Sequence, residues 1–280
     1  MVLLLKTRII SSAIGLSLFA AVLIFWNSVP IILDLCICII NLIAIWEILS
    51  ATKLVKSRTI LYISSVFAIL IPFIYNGYFP IDATVATVVF AVTLLITSLA
   101  LHKTVNVSEL AIAFSLTVFV SYSFSSLLML IRMLDGHGLF YFLMAFNFAW
   151  VGDGGAYFVG ILFGKHKLAP VISPKKTIEG AIGGIVCSTL VTLLMCLFYN
   201  SISASFYVNI VALTLLTPVF TVVGIFGDLI ASYIKRSCNI KDYGNLIPGH
   251  GGIMDRFDSI LLIAPLLYLF ICYFPLISAI

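Results

Sequence analysis

Long apolar runs follow one another through this sequence, with only short polar intervals between them. A helix needs about 20 apolar residues to cross the hydrocarbon core of a bilayer. Stretches of roughly that length lie at residues 9–26, 30–49, 60–76, 81–101, 110–131, 139–162, 180–199, 207–227 and 259–279. We therefore predict an all-α polytopic integral membrane protein with about nine transmembrane helices.

Composition excludes a soluble domain. Apolar residues make up 62% of the chain and charged residues 9%, against roughly 45–50% and 25% in soluble proteins. The six cysteines lie mostly inside the apolar runs, which predicts free thiols. None of the four histidines is spaced from a cysteine or another histidine as zinc ligands are, so a zinc site is not expected.

The basic residues predict the orientation in the membrane. With nine spans and a cytoplasmic N-terminus, all but one of the 15 Lys and Arg residues fall on the cytoplasmic side. The exception is Arg132. This distribution follows the positive-inside rule.

One stretch, residues 227–258, holds eight charged side chains in an otherwise apolar chain. In a helix, Asp228, Ser232, Lys235 and Arg236 would share one face. Residues 248–252 read Pro-Gly-His-Gly-Gly, which predicts an irregular loop whose backbone can approach a ligand closely. Carboxylates able to hold a hard cation, beside cations able to hold phosphate, predict a metal–nucleotide site.

A second polar stretch, Ser173-Pro174-Lys175-Lys176-Thr177, precedes an apolar run. Pro174 suits the first turn of a helix with Ser173 as its N-cap. Two lysines at a helix N-terminus would form an anion site. The alternative is a simple cap beside ordinary cytoplasmic lysines.

Carboxylates within the apolar runs are few. Asp153 lies inside the run 139–162, where an acidic residue is a candidate for function; the alternative is a structural hydrogen bond between helices. Asp34 and Glu47 lie near predicted helix ends, so we expect them to be solvated at the interface. The glycine pairs Gly160/Gly164 and Gly180/Gly184 predict close helix–helix contact.

The two polar blocks, residues 149–180 and 227–258, resemble the phosphatidate cytidylyltransferases (CDP-diacylglycerol synthases). The second block matches that family's signature without a gap, at Ser232, Ile234, Lys235, Arg236, Lys241, Asp242, Gly244, Pro248, His250, Gly251, Gly252, Asp255, Arg256 and Asp258. The first block is similar from Asp153 to Lys165, then in residues 173–177 and at Glu179-Gly180.

The resemblance implies transfer of the cytidylyl group of CTP to phosphatidate, giving CDP-diacylglycerol and pyrophosphate for phospholipid biosynthesis. It implies a polar pocket at the cytoplasmic side of the C-terminal helices, in a bacterial inner (plasma) membrane. The chain then divides into N-terminal transmembrane helices, residues 1–104, and a transmembrane catalytic region, residues 105–280. The partners implied are CTP, phosphatidate in the bilayer and a second copy as a homodimer, with no nucleic acid.

The resemblance also implies residue roles. The catalytic set is Asp228, Ser232, Lys235, Arg236, Lys241, Asp242, His250, Asp255, Arg256 and Asp258. The substrate-binding set is Asp153, Ser173, Lys175, Lys176, Thr177 and Glu179. Magnesium would be held by Asp228, Asp255 and Asp258, and a second cation is left open. The role of His250 is open between phosphate donor and loop organiser.

Two alternatives remain. One is another CTP-dependent membrane lipid transferase, such as a polyprenol kinase or an ether-lipid cytidylyltransferase. The other is a membrane transporter, which is disfavoured because the sequence shows no internal repeat. A phosphate loop at Gly160–Lys165 is excluded, since the glycine spacing is one residue short and no hydroxyl residue follows the lysine.

Overall fold

Helices make up most of the protein. A computed structural model describes residues 2–26, 28–133 and 137–279, with side chains from residue 10 to residue 278 of those ranges. The helices are α1 (Val2–Phe25), α2 (Ile31–Ala51), α3 (Arg58–Tyr75), α4 (Ala83–Ala100), α5 (Val107–Ile131), α6 (Gly138–Phe146), α7 (Gly152–Phe163), α8 (Ile178–Ile202), α9 (Ile210–Ser237), α10 (Met254–Phe257) and α11 (Ile260–Tyr273).

Six of the helices in the described part of the chain are long and apolar enough to cross a bilayer, namely α2, α3, α4, α5, α8 and α9. Residues 10–25 of α1 and the whole of α11 form shorter apolar helices. Each predicted apolar run overlaps a described helix, and the chain is a polytopic integral membrane protein. The count of nine spans and their orientation stay predictions.

Many outward-facing side chains on these helices are large and apolar. Ile161 on α7, Leu194 on α8 and Leu215 on α9 are each more than half exposed. Water would solvate such surfaces poorly, whereas lipid tails would not. The exposed apolar faces therefore agree with burial in a bilayer.

Two short antiparallel strand pairs were missed by the prediction of an all-α fold. β1 (Lys167–Ala169) pairs with β2 (Ser173–Thr177), and β3 (Phe206–Val208) pairs with β4 (Ile277–Ala279). The first three strands lie in intervals between helices, and β4 follows α11. Strand pairing gives the backbone groups of these segments the hydrogen-bond partners that they need outside a helix.

The start of α8 differs from the prediction. Ser173 and Pro174 lie in β2, and the N-cap is Thr177, whose hydroxyl accepts from the Gly180 N–H at 3.1 Å. The Ile178 N–H donates to the His166 carbonyl at 2.9 Å, so pairing continues to the residue where the helix begins. The prediction of Ser173 as cap was wrong because the pairing of β1 with β2 holds this segment extended.

A π-helical turn, Asn147–Val151, joins α6 to α7 without a break in the helix. Asn147 is buried, and its side-chain amide donates to the Ser188 carbonyl at 3.1 Å and to the Thr192 hydroxyl at 2.9 Å on α8. The wider turn leaves this polar side chain bonded to the neighbouring helix.

Helices α7 and α8 touch through glycines, as the sequence predicted. A Cβ placed on Gly180 would lie 2.7 Å from the Ala156 carbonyl oxygen, and one on Gly184 would lie 2.4 Å from that of Gly152. One on Gly183 would lie 2.4 Å from side-chain carbons of Val159. Only glycine permits this separation of the two helices.

Packing divides the chain into two units. The first unit contains residues 1–129 and 234–257, and the second contains residues 130–233 and 258–280. The glycine-rich loop at 248–252 belongs to the first unit, and the β1–β2 pair belongs to the second. The predicted division at residues 104 and 105, drawn from the positions of the motifs, stays a prediction.

Candidate active site

The last turn of α9 carries Lys235 and Arg236 at a well-capped helix end. The Ile240 N–H donates to the Lys235 carbonyl at 2.9 Å, and the Asn239 N–H donates to that of Arg236 at 3.0 Å. Asn239 has φ 57°, so the helix ends in a Schellman motif. Both cations lie where the negative end of the helix favours positive charge. Asp228, Ser232, Lys235 and Arg236 all lie on α9, so the condition for their sharing one helix face is met.

Lys235 is buried and ion-paired. Its Nζ donates to Oδ1 of Asp255 at 2.7 Å, and the two side chains are 9% and 2% exposed. The same Nζ lies 5.2 Å from the centre of the Tyr243 ring. Oδ2 of Asp255 accepts from the backbone N–H groups of Tyr243 at 2.8 Å and Gly252 at 3.0 Å. Asp255 therefore joins the end of α9 to the glycine-rich loop.

Residues 248–252 form the irregular loop that the sequence predicted. The His250 N–H donates to the Ile247 carbonyl at 2.9 Å. Pro248 and Gly249 occupy the centre of this turn, and φ of Gly249 is 78°, which is the arrangement of a type II turn. Gly251 has φ 84°. Both glycines hold backbone conformations that other residues adopt at a cost.

Helix α1 contacts the His250 side chain within the first unit. Ser11 Oγ lies 2.9 Å from Nδ1, and Ser12 Oγ lies 3.3 Å from Nε2. Ser11 also donates to the Pro248 carbonyl at 3.1 Å. Because the Ser11 hydroxyl donates to Pro248, it can only accept from the His250 ring, so we assign the ring proton to Nδ1. Nε2 then accepts from the Ser12 hydroxyl. These are the contacts expected of a loop organiser, while a role with substrate stays a prediction.

In the second unit, Asp228 connects the two motif blocks. Its Oδ2 lies 2.6 Å from Nζ of Lys176, and the two side chains are 23% and 22% exposed. Its Oδ1 accepts from the Ser232 hydroxyl at 3.1 Å. The structure thus brings a predicted metal ligand, a predicted hydroxyl and a predicted phosphate-binding lysine to one place.

Thr177 is buried among glycines. A Cβ placed on Gly160, Gly164 or Gly180 would lie between 2.9 and 3.0 Å from its Oγ1. The hydroxyl already caps α8. Its observed role is therefore local and structural, and a contact with substrate stays a prediction.

Glu179 closes the connection between α7 and α8. Its carboxylate accepts from the Lys165 N–H at 3.0 Å and the His166 N–H at 3.2 Å. It also lies 2.6 Å from Nδ1 of the His166 ring. Glu179 thereby fixes the segment that precedes β1.

Asp153 and Asp258 both contact Ser259. The Ser259 hydroxyl donates to Oδ2 of Asp153 at 3.0 Å, and the Ser259 N–H donates to Oδ1 of Asp258 at 2.9 Å. For Asp153, the sequence left open a structural hydrogen bond between helices instead of a function in catalysis. The bond from Ser259 is a structural contact of that kind. Functional roles for both carboxylates stay predictions.

The rest of the predicted set is more exposed. Arg236 donates to the Ile240 carbonyl at 3.1 Å. Ser173 is half-buried. The exposed residues of the predicted set are Lys175, Arg236, Lys241, Asp242 and Arg256.

Two carboxylates expected to be solvated at the interface are buried. Asp34 is 0% exposed and accepts from the Asn76 amide and the Tyr78 hydroxyl, each at 2.9 Å. Glu47 is 8% exposed, and its Oε2 accepts from the Met254 N–H at 2.9 Å. The expectation was wrong because donors distant in sequence compensate the burial of both groups.

Comparison with known proteins places this chain in a family. The model of the cytidylyltransferase family matches residues 6–274. The chain belongs to the cytidylyltransferase family. Over 130 residues it is 51% identical to a Staphylococcus haemolyticus protein, 52% identical to one from Staphylococcus epidermidis and 49% identical to one from Staphylococcus aureus.

All three relatives carry the name phosphatidate cytidylyltransferase. Each alignment covers 46% of this cytidylyltransferase-family chain and 48% of the relative. The chain thus spans about half the length of the curated relatives it matches.

The carboxylates of this cytidylyltransferase-family protein can be compared with the ligands that a magnesium ion needs. Among the described residues, no three His, Cys, Asp or Glu side chains lie together in a way that could hold a metal. Asp255 already accepts three hydrogen bonds, of the roughly four that a carboxylate can accept. Magnesium takes one or two carboxylates and completes its shell with water and substrate phosphates. The donor set therefore fits magnesium brought with a nucleotide.

Proposed function

We propose that this protein transfers the cytidylyl group of CTP to phosphatidate, releasing pyrophosphate and giving CDP-diacylglycerol. The observation that carries the proposal is the buried Lys235–Asp255 pair beside the glycine-rich loop, in a chain that belongs to the cytidylyltransferase family. The names of the staphylococcal relatives support the choice of phosphatidate as the acceptor.

The reaction needs electrostatic help more than proton transfer. An oxygen of the phosphatidate phosphate attacks the α-phosphorus of CTP and forms a new P–O bond. The bond from that phosphorus to the α,β-bridging oxygen breaks, and its electron pair leaves with pyrophosphate. Because the nucleophile is already anionic at neutral pH, no strong general base is required. Bringing two polyanions together is the main barrier, which fixed cations and hydrogen-bond donors lower.

Several cations of the two motif blocks can meet that demand. Lys235 is held in place by Asp255 before substrate arrives, so it can offer a phosphate a preorganised positive charge. Lys176 is paired with Asp228, and a phosphate would compete with that carboxylate for it. The remaining cations assigned to substrate phosphates are exposed, namely Lys175, Arg236, Lys241 and Arg256.

Magnesium would be held by carboxylates from among Asp228, Asp255 and Asp258, with a second cation left open. When bound, it would supply charge neutralisation at the phosphates of CTP and of the leaving pyrophosphate. The chain's own contribution is to orient those carboxylates, as the Ser232 hydroxyl does for Asp228 at 3.1 Å.

We propose nine spans with a cytoplasmic N-terminus, which puts both motif blocks on the side of the membrane where CTP is found. The distribution of Lys and Arg supports this orientation. Bacterial relatives support the inner (plasma) membrane. A homodimer is an expectation from the resemblance alone.

The test uses purified protein in detergent with phosphatidate, Mg²⁺ and CTP labelled either on the α-phosphate or on the γ-phosphate. Cytidylyl transfer moves the α-label into a CDP-lipid and releases the γ-label as pyrophosphate. A lipid kinase would move the γ-label into lipid and release CDP. An ether-lipid acceptor, supplied in parallel, distinguishes the related transferase, and absence of labelled lipid with every acceptor would contradict the proposal.

A further inference from the structure

A carboxylate from outside both motif blocks lies against the glycine-rich loop. Glu47 belongs to α2, and its Oε2 accepts from the Met254 N–H at 2.9 Å. Glu47 is 8% exposed, and Met254 is in the first unit with it.

Two glycines of the signature leave room for the Glu47 side chain. A Cβ on Gly244 would lie 2.3 Å from Oε1, and a Cβ on Gly252 would lie 2.3 Å from Oε2. Neither glycine has a positive φ, in contrast to Gly249 and Gly251. The backbone at 244 and 252 would therefore accept alanine, and the carboxylate is what requires glycine there.

Glu47 and Asp255 share the backbone donors of one short segment. The Gly252 N–H donates to Asp255, and the Met254 N–H donates to Glu47. Buried backbone donors need partners, so the two carboxylates together fix this segment. Since Asp255 also accepts from Lys235, the position of the segment sets the position of the Lys235 ammonium group.

We propose that Glu47 is a positioning residue, which holds the Gly252–Met254 segment and thereby aligns Asp255 and Lys235. The expected effect of Glu47 on turnover rests on the proposed cytidylyl transfer. Its effect on the position of the Gly252–Met254 segment is independent of that proposal, because Glu47 contacts this segment directly.

A compensation experiment isolates the Glu47 carboxylate. Gly252→Ala alone should lower kcat about tenfold or more, since the new methyl group would displace the carboxylate. In a Glu47→Ala background, adding Gly252→Ala should change kcat less than about twofold, since the obstacle is gone. Gly251→Ala is the matched control, because its positive φ makes the change equally harmful in both backgrounds. Equal harm from Gly252→Ala in both backgrounds would overturn the proposal.

Amide hydrogen exchange gives a readout that does not depend on activity. In Glu47→Leu, the side chain has no oxygen to accept the Met254 N–H, whereas glutamine could keep that bond through its carbonyl oxygen. The amide of Met254 should then exchange about tenfold faster than in the wild type, while those of α8 stay unchanged. Unchanged exchange at Met254 would sink the proposal. If the wild type makes no CDP-lipid but Glu47→Leu shows the faster exchange, only the proposed function is refuted.

Discussion

Replacing Asp255 by asparagine keeps the shape of the side chain and removes its charge. Asp255 accepts from Lys235 through Oδ1 and from the N–H groups of Tyr243 and Gly252 through Oδ2. An amide has one acceptor oxygen and one donor nitrogen. If the oxygen stays with the two N–H groups, the NH₂ group faces the Lys235 ammonium. Two donors then confront each other in a buried place.

The cost follows from the burial of the pair. Lys235 is 9% exposed and Asp255 is 2% exposed, so water cannot replace the lost partner. Removing one member of a buried ion pair costs about 3–5 kcal/mol, because the other charge is left uncompensated. We expect Asp255→Asn to lower the free energy of unfolding by about 3 kcal/mol and to abolish turnover. Lys235→Met in the same chain removes the orphaned cation, so the double variant should recover about 2 kcal/mol relative to additivity.

Equilibrium unfolding in mixed detergent micelles, followed by tryptophan fluorescence, measures these differences for the wild type, both single variants and the double variant. Asp242→Asn is the matched control, since Asp242 is exposed in the same segment, and it should unfold like the wild type. The reasoning is refuted if the two single changes add to within about 0.5 kcal/mol. It is also refuted if Asp255→Asn is no less stable than the control.

Gly183→Ala should destabilise the protein by about 1–3 kcal/mol, because its Cβ would lie 2.4 Å from the branched side chain of Val159. Gly154→Ala is its control, with no atom within 4 Å of the added carbon, and thermal unfolding should show it unchanged or slightly more stable. A membrane-impermeant thiol reagent should label a variant that retains only Cys238 when the inner face is open, and CTP with Mg²⁺ should slow the labelling. Labelling from outside intact cells would contradict the proposed orientation.

Features set by local sequence were predictable in this protein. The apolar runs predicted the positions of the helices, because a span of about 20 apolar residues has few other uses. The Pro-Gly-His-Gly-Gly run predicted a loop, and the structure has positive φ at Gly249 and Gly251. The shared face of Asp228, Ser232 and Lys235 depended on the segment being helical, and all three lie on α9.

Features set by contacts between distant residues were not predictable. Glu47 bonds to a backbone group 207 positions away, and a carboxylate near a helix end looks the same in sequence whether water or protein surrounds it. Ser173 satisfies every local rule for an N-cap, yet pairing of its strand with residues 167–169 moves the helix start to Ile178. Gly244 was the one weak sign in the sequence that another side chain packs here. Its φ is not positive, so the backbone alone does not require a glycine at that position.

The π-helical turn at 147–151 marks where this span can lose a residue with least disturbance. A π turn holds one residue more than an α turn, so deleting one residue there would let the segment close into a regular α-helix with little rotation of α7. Deleting one residue from α6 would instead turn α7 by about 100° relative to the start of α6 and draw the two together by about 1.5 Å. Contacts made by α7, such as the one that Asp153 makes with the Ser259 hydroxyl at 3.0 Å, would then be lost if α6 kept its place. A one-residue deletion in α6 should therefore be tolerated less well than one in the π-helical turn.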